Sequence, residues 1–116
     1  MDRTDEPLFS SLYGQVTYCR YSDEFRVNFG EMQIWLSQEY LRQFARRVSQ
    51  FVTVHESLHQ FPLSHQFDIC SPGCDGEIYR FYPDEILDLD TLLSGSLVAV
   101  DLYSFFDTND FLVASV

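Results

Sequence analysis

The first third of the chain alternates apolar and polar positions with a period of two. Residues 15–21, 25–29 and 32–36 each send every second side chain to one face, the pattern of half-buried strands. Ser22-Asp23-Glu24 and Gly30-Glu31 between them have the length and chemistry of hairpin connections. The pattern predicts a three-strand antiparallel meander. Residues 1–11 are polar around Pro7, which predicts a loose N-terminal segment ahead of one domain over residues 12–116.

After Leu36 the period changes. Ser37 is a suitable N-cap, Glu39 places an anion in a first turn, and Leu41, Phe44, Ala45, Val48, Phe51 and Val52 recur at helical spacing. Arg42, Arg46, Arg47 and Gln50 fall on the opposite face. Two ends fit this helix: near Val52, where β-branched and aromatic residues crowd together, or Gln60, two residues before Pro62. Residues 63–76 read as a loop and residues 77–82 as a strand. A second helix starts at Pro83 with Asp84 and Glu85 at its positive end and Ile86, Leu89 and Leu93 as its apolar face. Ser94-Gly95-Ser96 predicts its end, "SLVAVDLYSFF" a further strand, with a continuing helix as the alternative, and "FLVAS" an edge strand. The expected class is α+β, a mostly antiparallel sheet packed with two helices.

Composition narrows the function. The 116 residues are 46% hydrophobic and 16% aromatic, enough for one ordinary core. No run is apolar for long enough to cross a bilayer, and the opening "MDRTDEPLFSS" lacks the basic and apolar regions of a signal peptide. The three cysteines, Cys19, Cys70 and Cys74, are too few for a disulfide framework. A cytoplasmic protein is expected. Cys70 and Cys74 flank Ser71-Pro72-Gly73 at a C-x3-C spacing, looser than a zinc knuckle, and read as thiols beside a turn.

All seven basic residues are arginine, and 18 acids leave a net charge of −11. Residues 1–67 carry eight acids against six arginines, residues 68–116 ten acids against Arg80 alone. Such a chain repels nucleic-acid phosphates and anionic lipid, which argues against direct binding to either. A surface adapted to salt or to solubility explains the bias, and an acidic mimic of nucleic acid that occupies a basic partner is the alternative.

One motif carries possible chemistry. In "VHESLHQFPLSH", His55, Glu56 and His59 match H-E-x-x-H, which sets two imidazoles on one helical face with a carboxylate base beside them. His65 adds a third ligand for zinc, and Glu56 would take the proton of a zinc-bound water. The whole stretch resembles the metzincin signature in all but its glycine, where Pro62 stands, and the methionine turn of that clan has no counterpart because the only methionines are Met1 and Met32. The competing reading is a helix end at which His55 and His59 are partly buried or cap carbonyls, and this is the reading preferred from the sequence. No calcium loop, phosphate loop or nucleophile elbow is present.

Residues 18–48, with Cys19 in a strand, Phe29-Gly30 at a turn and Leu36-Ser37 at a helix start, resemble a family of short uncharacterised bacterial proteins. Where that family has a second cysteine soon after the first, this chain has Tyr21-Ser22. The resemblance implies a fold and no chemistry. The expectation is a small protein without catalytic activity that works through a protein partner or as a homodimer, with Trp35, Tyr79 or Tyr82 on a sheet edge as the surfaces of interest. A zinc-dependent hydrolase is the alternative.

Overall fold

The computed structural model describes residues 5–55, 62, 64–72 and 77–114, without the side chains of Asp5 and of residues 103–114. In chain order its elements are β1 (Asp5–Ser10), β2 (Gly14–Cys19), β3 (Glu24–Phe29), β4 (Met32–Leu36), α1 (Gln38–Val54), β5 (Phe67–Cys70), β6 (Ile78–Phe81) and α2 (Pro83–Ala114). The class is α+β, as expected. Among the described residues there are two antiparallel sheets, one of four strands in the order β1-β2-β3-β4 and one of two strands, β5-β6.

The meander is therefore longer than the predicted three strands. Asp5–Ser10, expected to be loose, pairs with β2 from Asp5↔Cys19 to Ser10↔Gln15. Pro7 is tolerated: proline lacks a ladder donor, yet an edge strand needs donors on one side only. The register shifts between Pro7 and Phe9, a bulge that re-aims the strand. In the β3–β4 connection Gly30 holds φ 55° at the first loop position, where a II′ hairpin turn takes glycine.

α1 follows its predicted stripe. Leu41, Phe44, Ala45 and Val48 are buried, and Ser37 caps the helix by accepting from the Tyr40 amide at 3.2 Å. The helix ends at Val54, between the two predicted ends, with His55 as C-cap.

α2 departs most from expectation. It runs unbroken from Pro83 to Ala114, through Ser94-Gly95-Ser96 and the first segment predicted as a strand and into the second. A β-carbon on Gly95 would lie 2.4 Å from the ring of Phe9, so this glycine is a seat for β1 and not a stop. Ser96 is fully buried and its hydroxyl donates to the Leu92 carbonyl at 2.7 Å, which satisfies a polar side chain inside the helix. The start is as predicted: Pro83 opens the helix and Glu85 accepts from the Tyr82 amide at 2.8 Å, half of a capping box.

Both helices cover one face of the four-stranded sheet. The core joins Val16, Phe25, Val27, Phe29, Met32 and Leu36 of the sheet to the α1 stripe and to Ile86, Leu89, Leu92 and Leu93 of α2. Close approach of α2 needs Gly14, where a β-carbon would meet the Asn28 carbonyl at 2.5 Å and Leu92 at 3.0 Å. The β1–β2 turn is pinned to α2 by Asp88, which accepts from the Ser11 hydroxyl at 2.6 Å and from the Leu12 and Tyr13 amides at 3.1 and 3.0 Å. Ser49 to Asp90 and Arg42 to Asp101 link the two helices. The short sheet lies over the end of this core through Ile69 and Phe81, with Phe81 edge-on to Phe29 at 5.6 Å.

Candidate functional site

Two features invite a functional reading: the histidine cluster and the line between β4 and β6. His55 closes α1, and its Nδ1 lies 3.0 Å from the Phe51 carbonyl oxygen, which also accepts the His55 amide at 3.0 Å. A carbonyl only accepts, so Nδ1 is the ring nitrogen that donates here. The ring stacks on Phe51 at 4.1 Å and meets the edge of Phe67 at 5.6 Å.

His65 reaches the same phenylalanine, 4.6 Å from Phe67. The chain turns back at Pro62, whose carbonyl accepts the His65 amide at 2.9 Å, the i to i+3 bond of a β-turn. Glycine is not needed there, because Pro62 is the first residue of the turn, where a fixed φ of about −65° is harmless. His55 and His65 thus flank one aromatic ring. Glu56 and His59 lie outside the described residues, as does Cys74. Among the described residues no three His, Cys, Asp or Glu side chains are grouped so as to hold a metal.

The second feature arises from topology. β4 ends the four-stranded sheet and β6 is one strand of the two-stranded sheet, yet no ladder joins them. Between them lie two clefts, about 400 and 560 Å3 in volume. Residues 33–37 line the first cleft from one side and Glu77 and Tyr79 from the other, with Glu24 and Tyr40 beside them. The second takes Gly30, Glu31 and Met32 against residues 78–82 and Glu85. Tyr79 borders both clefts.

Apolar and acidic groups dominate the surroundings. Trp35 is 47% exposed and Ile78 66% exposed, and Tyr40 and Tyr82 are exposed beside them. Trp35 lies under the Arg26 guanidinium, 5.4 Å from the ring centre, which holds the indole in place. Burial, followed by the hydrogen bond its hydroxyl donates to Glu77 at 2.6 Å, pushes Tyr79 up from 10.0 to about 12. Glu24, Glu31, Glu77 and Glu85 outnumber Arg80, whose guanidinium is taken up by Asp68 at 3.1 Å.

Of the surfaces expected from sequence, Trp35 and Tyr79 line the first cleft, and Tyr79 and Tyr82 line the second. Sequence reading did not bring in Tyr40, Glu24 or Glu77. The one available signal was Trp35 within a short alternating strand that has no partner on its far side. Among the described residues no helix is long and apolar enough to cross a membrane. In comparisons with protein families, curated proteins and solved structures, nothing matches this chain.

Proposed function

We propose that this chain is a non-catalytic cytoplasmic interaction domain that takes an extended, basic segment of a protein partner as an added strand between β4 and β6. The observation that supports it is the pair of unladdered strands facing one another across aromatic, acid-rich clefts. An edge strand presents unpaired amides and carbonyls at every second residue, and an incoming peptide pairs with them while its alternate side chains enter pockets. Arginine suits those pockets, since it stacks on Trp and Tyr faces and pairs with Glu24 or Glu77.

The test uses the single tryptophan, Trp35, as its own reporter. Peptides that alternate apolar and arginine residues should change Trp35 emission and protect the β4 amides from exchange. Their glutamate counterparts should do neither. Proline in place of the pairing residues should abolish binding, because proline brings no amide hydrogen. An equal response to acidic and basic peptides, or none to either, would reject the proposal.

A second reading is favoured by the histidines. Tying Nδ1 of His55 to a carbonyl leaves Nε2 available, the arrangement common to metal-bound imidazoles. His55 and His65, joined by His59, would form a zinc site, and Glu56 would make it hydrolytic. Protein purified without a tag should then carry about one equivalent of zinc, lost in the His55→Ala variant. Far less than one equivalent dismisses this reading and leaves His55 as the cap of α1.

A further inference from the structure

Both helices pack on one face of the four-stranded sheet, and alternation along β2, β3 and β4 sends the remaining side chains to the other face. Cross-strand register fixes which of them are neighbours. Gln15, Asn28 and Gln33 pair in one row, and Thr17, Arg26 and Trp35 pair in the row beside it. Adjacent strands lie about 4.8 Å apart, so the amide row spans about 10 Å across three strands.

This patch differs from the rest of the surface. The chain has 18 acids in 116 residues, and none falls on these six positions. Gln15, Gln33 and Trp35 are exposed, with Asn28 half-buried in the middle of its row. Among the described residues no hydrogen bond occupies the three side-chain amides. Each keeps two donors and an accepting carbonyl for a ligand. Trp35 is held by the Arg26 guanidinium, 5.4 Å from the ring centre, so the indole has little freedom left to lose when something stacks on it.

The chemistry of the patch selects its ligand. A carboxylate or phosphate would enter the field of a chain carrying −11, and a cation would find no carboxylate within the patch. An apolar surface would leave three amides without partners. The ligand that remains is neutral, has a C–H face for the negative face of the indole, and carries hydroxyls that donate and accept as the amides do. Sugar rings combine these properties, and a row of about 10 Å is longer than one ring.

We propose that this face of the sheet binds a neutral oligosaccharide, with one ring on Trp35 and the hydroxyls of that ring and its neighbours on the amides of Gln33, Asn28 and Gln15. Trp35 and Gln33 also line the first cleft, but Gln15 and Asn28 line neither. Sugar binding therefore does not rest on strand addition, and the two readings fail separately.

The test is titration of the full chain with maltohexaose, cellohexaose, xylohexaose and mannohexaose, followed by Trp35 emission and by isothermal calorimetry, each sugar to about 10 mM so that millimolar affinity is seen. At least one should bind saturably, with a dissociation constant that changes by less than about twofold between low and molar sodium chloride, because no charge pair is formed. Gln15→Ala and Asn28→Ala should each weaken it about three- to tenfold, the loss of one hydrogen bond, with unchanged circular dichroism and an unchanged response to basic peptides. Gln15 is exposed, so its variant serves if Asn28→Ala does not fold. Trp35→Ala should abolish the calorimetric signal. Saturable binding of none of the four sugars overturns the proposal, as does binding that both amide variants leave intact. Binding that fades with salt also overturns it, since it belongs to charged groups outside the patch.

Discussion

Gly95 offers a direct test of how α2 is built. In an ordinary exposed helix, Gly→Ala stabilises by about 1 kcal/mol, because alanine loses less backbone freedom on folding. Here the new methyl would lie 2.4 to 2.7 Å from three atoms of the Phe9 ring, where carbon contacts settle near 3.5 to 4.0 Å. The ring must retreat by about 1 Å or more. Overpacking of this kind costs about 1 to 3 kcal/mol, the low end applying where the neighbour can give. Phe9 is only half-buried and sits on an edge strand, so the low end to middle applies. Gly95→Ala should therefore destabilise by about 1 kcal/mol, lowering the melting temperature by about 4 °C.

The control is Phe9→Ala. With the ring gone the clash disappears, and Gly95→Ala should then stabilise by about 1 kcal/mol, giving a coupling of about 2 kcal/mol in a double-mutant cycle. Urea unfolding followed by Trp35 emission and by circular dichroism supplies all four free energies. If Gly95→Ala stabilises the otherwise unaltered chain as much as it does the Phe9→Ala variant, Phe9 is not seated on Gly95 and the account of α2 fails.

Two further predictions concern the same framework. Asp88→Ala strips the β1–β2 turn of an acceptor for one hydroxyl and two amides, and should cost about 2 to 3 kcal/mol, discounted because the site is partly exposed; Asp88→Asn should cost less, by calorimetry. Alkaline titration should reveal Tyr79. A phenol whose folded pKa lies above its unfolded value stabilises the fold fully below pH 10.0 and loses that contribution as the pH rises towards about 12, so unfolding free energy should fall in that window and fall less in Tyr79→Phe. Tyr13 and Tyr18, raised by hydrogen bonds to Asp84 and Asp23, act in the same direction. A slope unchanged by Tyr79→Phe contradicts this.

Where the sequence was legible, the signal was local. β2, β3, β4 and α1 follow from alternation, from the helical recurrence of Leu41, Phe44, Ala45 and Val48, and from a serine cap, each contained within a few residues. β1 is hidden because residues 1–11 are polar and terminal, and the pairing of Asp5–Ser10 depends on β2. β5 was missed because "FDIC" alternates over only four residues before a Ser-Pro turn. Ser94-Gly95-Ser96 was judged by backbone propensity alone, while its role depends on Phe9, a contact across 86 positions of sequence that periodicity does not report. The site divides in the same way. Trp35 and Tyr79 stood out by residue type, but the clefts between β4 and β6 exist only once two separate sheets are assembled. The motif spacing drew attention to His55 and His65; their common neighbour Phe67 is not readable from it.

The bond network at Asp88 has a bearing on how the chain acquires its shape. Ser11 and Asp88 are 77 positions apart, and Phe9 and Gly14 likewise dock on α2. The β1–β2 hairpin thus has its anchor in an element made 77 positions later. Until then its apolar side is uncovered, and β1 with β2 amounts to a hairpin of marginal stability with an open edge. Maturation on the ribosome waits for α2, and any pause in translation shortly before Pro83 lengthens the interval in which a chaperone is needed.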